Sequence, residues 1–284
     1  MGASLPVATL LALGFSLGAT LTAYHYGADL VLSSVGAEPL DGNIPEHRQL
    51  HNIVTEMALA SGCPMPKVCV VFDPAPNAFA TGKDEKFSTI CVTTGLLTLL
   101  GRDETQGVVA HEMAHIRNHD TRVMLLVSVL LGGIALLADW AQRSFIHSRH
   151  MRRSSRGSAL IAIPALVLVA LSPLISRLMA MAVSRQREYL ADATAVEFTR
   201  NPLGLARALE RIRDAEMPFH KASRGTAHLF IVNPLRRRVD ERNGGLADLL
   251  ATHPPIEKRI QLLYQMAGMP YLPLKGAVAQ VIEV

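Results

Sequence analysis

Apolar side chains recur along this chain at two periods, and three unbroken runs follow neither. Leu50, Ile53, Val54 and Met57 fall at helical spacing, so residues 45–60 read as an amphipathic helix, closed by Gly62 and Pro64. Lys67 to Phe72 (KVCVVF) and Ser88 to Thr94 (STICVTT) read as strands, with a polar, turn-rich stretch between them from Asp73 to Lys86. Asp103 followed by Gln106 resembles a capped helix start, and Val108, Val109 and Ala110 lead into an apolar helical segment. Leu203 to Glu216 predicts a second amphipathic helix, Gly225 to Gly245 a loop-rich stretch, and Pro255 to Met266 a last helix. No internal repeat is present. The pattern predicts a mainly α fold with a small β-sheet.

The three apolar runs change the class of protein. Leu5 to Tyr24 holds no charge and is long enough to cross a bilayer. It lacks the basic leader of a cleaved signal peptide, so it reads as a retained anchor. The second run, Val123 to Ala138, contains the pair Gly132-Gly133; the third, Ser158 to Ser176, is interrupted by Pro164 and Pro173. Prolines are tolerated in membrane helices whose neighbours satisfy the freed carbonyls. Buried helices of a soluble domain are the alternative for runs two and three. Mean hydropathy of +0.24, with 49% hydrophobic and 18% charged residues, favours the membrane.

Net charge is +4, spread along the chain, and aromatics make up 5% of it, so nucleic acid is not an expected partner. Anionic lipid headgroups fit the mild excess better. The basic cluster Arg236, Arg237 and Arg238 reads as a solvated face. Three cysteines, Cys63, Cys69 and Cys91, are odd in number and irregular in spacing. They form neither a disulfide framework nor a zinc knuckle, and predict small buried residues in a reducing compartment.

The chemistry is concentrated in VVAHEMAHIRNHD. His111 and His115 are four residues apart, so a helix puts both imidazoles on one face, within reach of one metal ion. Glu112 lies one step round, placed to take a proton from a water the metal activates. From His115 to Val123 is eight residues, or ~12 Å if helical, so the site lies close to the start of run two.

A catalytic zinc needs a third protein donor. His119 extends the same face, but three donors on one straight helix would span about 11 Å, too far to converge. Asn118 and Thr121 occupy the offsets where a metzincin requires glycine and histidine. Glu188 in SRQREYLADA is the competing choice, with Asp192 four residues on as a carboxylate for a histidine N–H. Spacing alone leaves open that both acids pair with Arg185 and Arg187 on a helix surface.

Four motifs in order, NAFATG (Asn77 to Gly82), HEMAH (His111 to His115), SRQREYLADA (Ser184 to Ala193) and THPPIEKR (Thr252 to Arg259), resemble the HtpX-like membrane zinc metallopeptidases, relatives of the CAAX prenyl-protein endopeptidases. The resemblance covers nearly everything after Tyr24. It implies a gluzincin-type metallopeptidase domain combined with about three transmembrane helices, one Zn²⁺ per chain, and Glu188 as the third ligand. It further implies Asp192 as an acidic support and Asn77, Ala78, Phe79 and Ala80 as an edge strand that pairs with an extended peptide. His253 and Arg259 match a pair that supports the oxyanion and the catalytic acids. Substrates would be membrane or misfolded proteins, as part of quality control and stress response. The enzyme would sit in the inner membrane with its catalytic part in the cytoplasm.

The chain departs from the pattern of the family it resembles in one respect: HtpX-like proteins usually open with two membrane helices, and one is legible here. Charge does not fix the topology. Arg143, Arg149, Arg152, Arg153 and Arg156 on the loop between runs two and three balance Arg117, Arg122, Arg177, Arg185 and Arg187 on the opposite face. The expected division is an anchor (1–24), a zinc-motif half with the edge strand (25–122), a membrane hairpin with the arginine-rich loop (123–176), and a second half with Glu188 and the His-Pro-Pro motif (177–284). The rival readings are a membrane scaffold or holdase with structural zinc, a CAAX-type protease, and a hydrolase of non-peptide substrates.

Overall fold

A computed structural model describes residues 18, 21–22, 24–126, 185–215, 217, 230–231 and 254–271. After a helical stretch at 24–35 come β1 (Ala37–Pro39), α1 (Pro45–Ser61), β2 (Lys67–Val71) and β3 (Ala78–Gly82). A 3₁₀ turn (Glu85–Phe87), β4 (Ser88–Thr93), α2 (Thr94–Leu99) and α3 (Arg102–Arg117) follow. The second half adds α4 (Arg185–Thr199), α5 (Pro202–Ala215) and α6 (Ile256–Met266). The predicted class, mainly α with a small sheet, describes this order.

The four strands run β1-β2-β4-β3 across the sheet, with β2 parallel to β4 and the other two pairings antiparallel. Successive side chains on a strand point to opposite faces, and both faces here are covered. Ala78, Ala80, Ile90 and Val92 face a core shared with Leu50, Ile53, Val54 and Met57 of α1 and the apolar residues of α3. Phe79 and Cys91 face the other way, against Val31 and Val35 of the 24–35 helix, Met124, Leu125 and Phe230.

The central element is α3. Every residue from Gly107 to Ile116 is buried, and a helix apolar or enclosed all round belongs at the middle of a domain. α1, α4 and α5 surround it. The crossing with α5 is close because a glycine sits on each side. A Cβ at Gly107 would stand 2.6 Å from the Leu205 amide nitrogen, and one at Gly204 2.8 Å from the Asp103 carbonyl oxygen.

α3 begins at Arg102, with the Gly101 N–H donating to Glu104 Oε2 at 2.8 Å. The start therefore lies ahead of the Asp103 expectation, because Glu104 rather than Gln106 reaches back to the open end. β3 falls inside the stretch whose composition predicted only loop. Its main-chain bonds to β4 outweigh the weak strand propensity of Ala78 and Ala80. Among the described residues no helix is long and apolar enough to cross a membrane. Runs one to three, the arginine-rich loop, Arg236 to Arg238 and His253 lie wholly or mostly outside the described residues.

Candidate metal centre

One turn of α3 carries His111 and His115, and their rings meet edge to face with centroids 4.7 Å apart. α4 packs alongside and delivers Glu188 from its first turn. Donor atoms of His111, His115 and Glu188 all lie within 4.8 Å of one another, and all three residues are buried. The two Nε2 atoms are 3.1 Å apart; His111 Nε2 stands 3.7 Å from Glu188 Oε2 and His115 Nε2 3.6 Å from Glu188 Oε1.

These spacings fit a zinc ion. Ligands on a tetrahedral zinc at about 2.0–2.1 Å stand about 3.3 Å from one another. The donor types fit as well, two imidazoles and a carboxylate being a common catalytic set. His119, by contrast, points out to solvent with its Nε2 3.9 Å from Glu85, and takes no part.

Each imidazole is held from behind by a carboxylate. His111 Nδ1 lies 3.0 Å from Asp192 Oδ1, and His115 Nδ1 lies 3.1 Å from Asp120 Oδ2. With each Nδ1–H given to its carboxylate, an assignment from the partners, both Nε2 lone pairs face the same point. Burial, and next the Arg259 guanidinium, push the His111 imidazole below its ordinary pKa. Burial opposes charge on His115 too, but its bond to Asp120 and the charges of Glu188 and Glu112 outweigh it and lift the group to about 9.

Sequence reasoning missed Asp120. On a continuous helix, a residue five positions past His115 would sit well round the cylinder. The chain breaks instead: α3 ends at Arg117, and His119 takes a left-handed backbone with φ of 59°. A new helical stretch then starts at Asp120, turned back under His115. The clue in the sequence was Asn118-His119-Asp120, residue types that tolerate this conformation.

Glu112 is buried beside the donors and accepts the Ala80 N–H. Burial lifts its carboxyl to about 7, against the pull of His115. The contact follows from strand register. Thr93 N–H donates to the Asn77 carbonyl, so Asn77 and Phe79 turn their main chain towards β4 while Ala78 and Ala80 turn theirs to the open edge. Along that edge, the Ile231 N–H already donates to the Ala78 carbonyl at 3.0 Å. The Phe79 side chain is on the far face, with Phe230 at 5.0 Å. Of the four predicted edge residues, Ala80 is the one whose main chain meets Glu112.

Arg259 enters from α6 and is buried to 2% exposure. It meets Glu188 Oε2 at 3.2 Å and donates to the Ile231 carbonyl at 3.3 Å. Burial acts to raise the Asp192 carboxyl, but the Arg259 charge and the hydrogen bonds from His111 and Arg259 together outweigh it and hold the group below the usual range. Six predicted residues thus come together from three helices: His111, Glu112 and His115 on α3, Glu188 and Asp192 on α4, and Arg259 on α6, with Ala80 of β3 alongside.

Comparison with known proteins places the chain in a family. Residues 45–267 match peptidase family M48. A Protease HtpX homolog of Caldanaerobacter subterraneus subsp. tengcongensis is 48% identical over 247 residues, covering 85% of this chain and 79% of the relative. One from Pyrococcus abyssi is 41% identical over 260 residues, 91% and 86% of the two chains. The crystal structure of S. mikatae Ste24p shares the fold, with a TM-score of 0.53 at 20% identity. That likeness covers 90% of this chain, which spans 57% of the Ste24p chain. The chain therefore belongs to peptidase family M48 and is a metalloprotease similar to the HtpX proteases.

Proposed function

We propose that this chain is a membrane-anchored zinc endopeptidase that cleaves membrane or misfolded proteins. The observation that supports it most is the buried triangle of His111, His115 and Glu188 with the Glu112 carboxylate beside it. Zinc held there would supply a Lewis acid that acidifies a water and polarises the scissile carbonyl.

The chain's own groups do the rest. Glu112 takes the proton of the attacking water on its carboxylate and passes it to the leaving amine, a role worth about 10²–10⁴ in rate. Asp192 and Asp120 hold the two imidazoles in the tautomer that leaves Nε2 free to bind. Arg259 fixes Asp192 and Glu188. His253, which precedes the buried Pro254, is the candidate donor to the developing oxyanion. An extended peptide would lie along the outer edge of β3 near Ala80.

The anchor at 1–24, the hairpin at 123–176, and the two halves of the peptidase at 25–122 and 177–284 are the division this reading uses. The apolar runs support an inner-membrane location, and the resemblance supports a cytoplasmic active site. A scaffold or holdase with structural zinc, or a CAAX-type protease, is the alternative. Zinc analysis of the purified full chain, with proteolysis assays on wild type and Glu188→Gln, tests the reading. One zinc per chain and chelator-reversible cleavage, both lost in Glu188→Gln, are expected; cleavage that survives chelation would sink it.

A further inference from the structure

Three parts of the chain that are distant in sequence meet at one point. Tyr24 ends the first apolar run, and Arg122 directly precedes the second. The Arg122 guanidinium lies 5.5 Å from the centre of the Tyr24 ring. Lys83, from the tip of the β3–β4 hairpin, comes within 5.7 Å of the same ring and 4.3 Å of the Phe87 ring. The hairpin tip therefore lies at the level where both apolar runs leave the described domain.

That tip is built to present an aromatic side chain. The 3₁₀ turn Glu85–Phe87 is capped by Asp84, whose Oδ1 accepts the Phe87 N–H at 2.9 Å. The turn displays Phe87 at 61% exposure, and Tyr26 on the neighbouring helix is 62% exposed. Leaving a large apolar ring in water forgoes the stabilisation that burial would give it. Aromatic rings flanked by lysine and arginine suit the boundary between headgroups and acyl chains.

We infer that residues 83–87 form an interfacial finger, with Phe87 entering the headgroup layer of the bilayer and Lys83 and Lys86 meeting lipid phosphate. This rests on the membrane-anchored reading, because the apolar runs set the level of the bilayer. The finger fixes the depth of the cleft. β3 climbs from Gly82 at its base, and Ala80, the partner of Glu112, is two residues along, or about 7 Å. A polypeptide segment just leaving the lipid would meet the edge of β3 beside the catalytic carboxylate.

The test uses the full chain with its single tryptophan removed (Trp140→Phe) and a reporter introduced by Phe87→Trp. The protein is reconstituted into phosphatidylcholine/phosphatidylglycerol vesicles whose acyl chains carry bromine at shallow or deep positions. Bromine near the headgroups should quench the fluorescence several-fold more than deep bromine, and aqueous iodide should quench it little. Lys86→Trp, at an exposed neighbouring position, repeats the measurement should the first variant misfold. Emission indifferent to brominated lipid and fully open to iodide, in chains that float with the vesicles, would overturn the finger while leaving the anchor intact. Failure of the chain to float would remove both. Neither readout depends on peptidase activity.

Discussion

Arg259 grips Asp192 with two parallel hydrogen bonds, Nε to Oδ2 at 2.8 Å and Nη2 to Oδ1 at 2.7 Å. Both side chains are buried, at 2% and 4% exposure. This fork joins α6 to α4 and, through Asp192 and His111, reaches α3. Removing one partner of a buried pair leaves the other charge without compensation, at a cost of about 3–5 kcal/mol. Arg259→Ala should therefore lower the unfolding free energy of the detergent-solubilised protein by about that amount. Adding Asp192→Asn should restore part of it, since the two positions share one interaction. Equal and additive losses in the cycle would refute the coupling.

Glu112→Gln separates chemistry from architecture. The amide oxygen of glutamine can still accept the Ala80 N–H that Glu112 accepts now, so fold and zinc content should be unchanged. Turnover of a protein substrate should fall about 10²–10⁴-fold, the usual worth of a positioned base. A variant with near-normal turnover and full zinc would remove Glu112 from the mechanism.

Asp120 should act on the metal through His115. Partners of this kind are worth 10–100-fold in metal affinity. Asp120→Ala should weaken zinc binding by about that factor in competition with a chromophoric chelator. Asp120→Asn should fall between Ala and wild type, keeping an acceptor but losing the charge. His119→Gly should bind zinc as the wild type does, because glycine adopts the left-handed backbone at that position freely. Wild-type affinity in Asp120→Ala would show that the 3.1 Å contact does not tune the site.

The parts of this centre that sequence could reveal were those fixed by local geometry. His111, Glu112 and His115 are set by the helical repeat alone, and α1, α5 and α6 by apolar periodicity. Glu188 and Arg259 needed the family resemblance, because their roles depend on how α4 and α6 pack against α3, and no local period encodes that. The edge strand also needed the resemblance, because Asn77 to Gly82 is rich in small residues without strand character and the pairing of β3 with β4 is a tertiary fact. Asp120 was hidden by one left-handed residue, which moves a carboxylate that helical counting puts elsewhere.

The α3–α5 crossing yields a packing prediction. At Gly107 an added methyl would meet the Leu205 backbone at 2.6 and 2.8 Å, and backbone cannot rotate aside. Gly107→Ala should force the helices apart and cost about 1–3 kcal/mol, the range for overpacked cores. The change would be read as a fall in thermal midpoint. α5 contributes none of the zinc donors, so zinc per folded chain should hold while stability drops. An unchanged midpoint would mean that the helices can slide apart at no cost.

Cys69 and Cys91 face each other as register partners on β2 and β4, and their thiols should respond to pH very differently. A hydrogen bond from the Cys91 thiol stabilises the Cys69 thiolate and, against burial, brings Cys69 down to about 7. Burial pushes Cys91 well above the ordinary thiol range. The thiolate is the reactive form, so alkylation of Cys69 by iodoacetamide should rise with pH through a midpoint near 7, below the ~8.5 of an unperturbed cysteine. Cys91 should stay unmodified while the protein is folded. Replacing the donor, in Cys91→Ala, should carry the Cys69 midpoint upward towards the unperturbed value. Peptide mass spectrometry across pH 5–10 would read all three; a Cys69 midpoint unmoved by Cys91→Ala would show that the neighbouring thiol is not the cause.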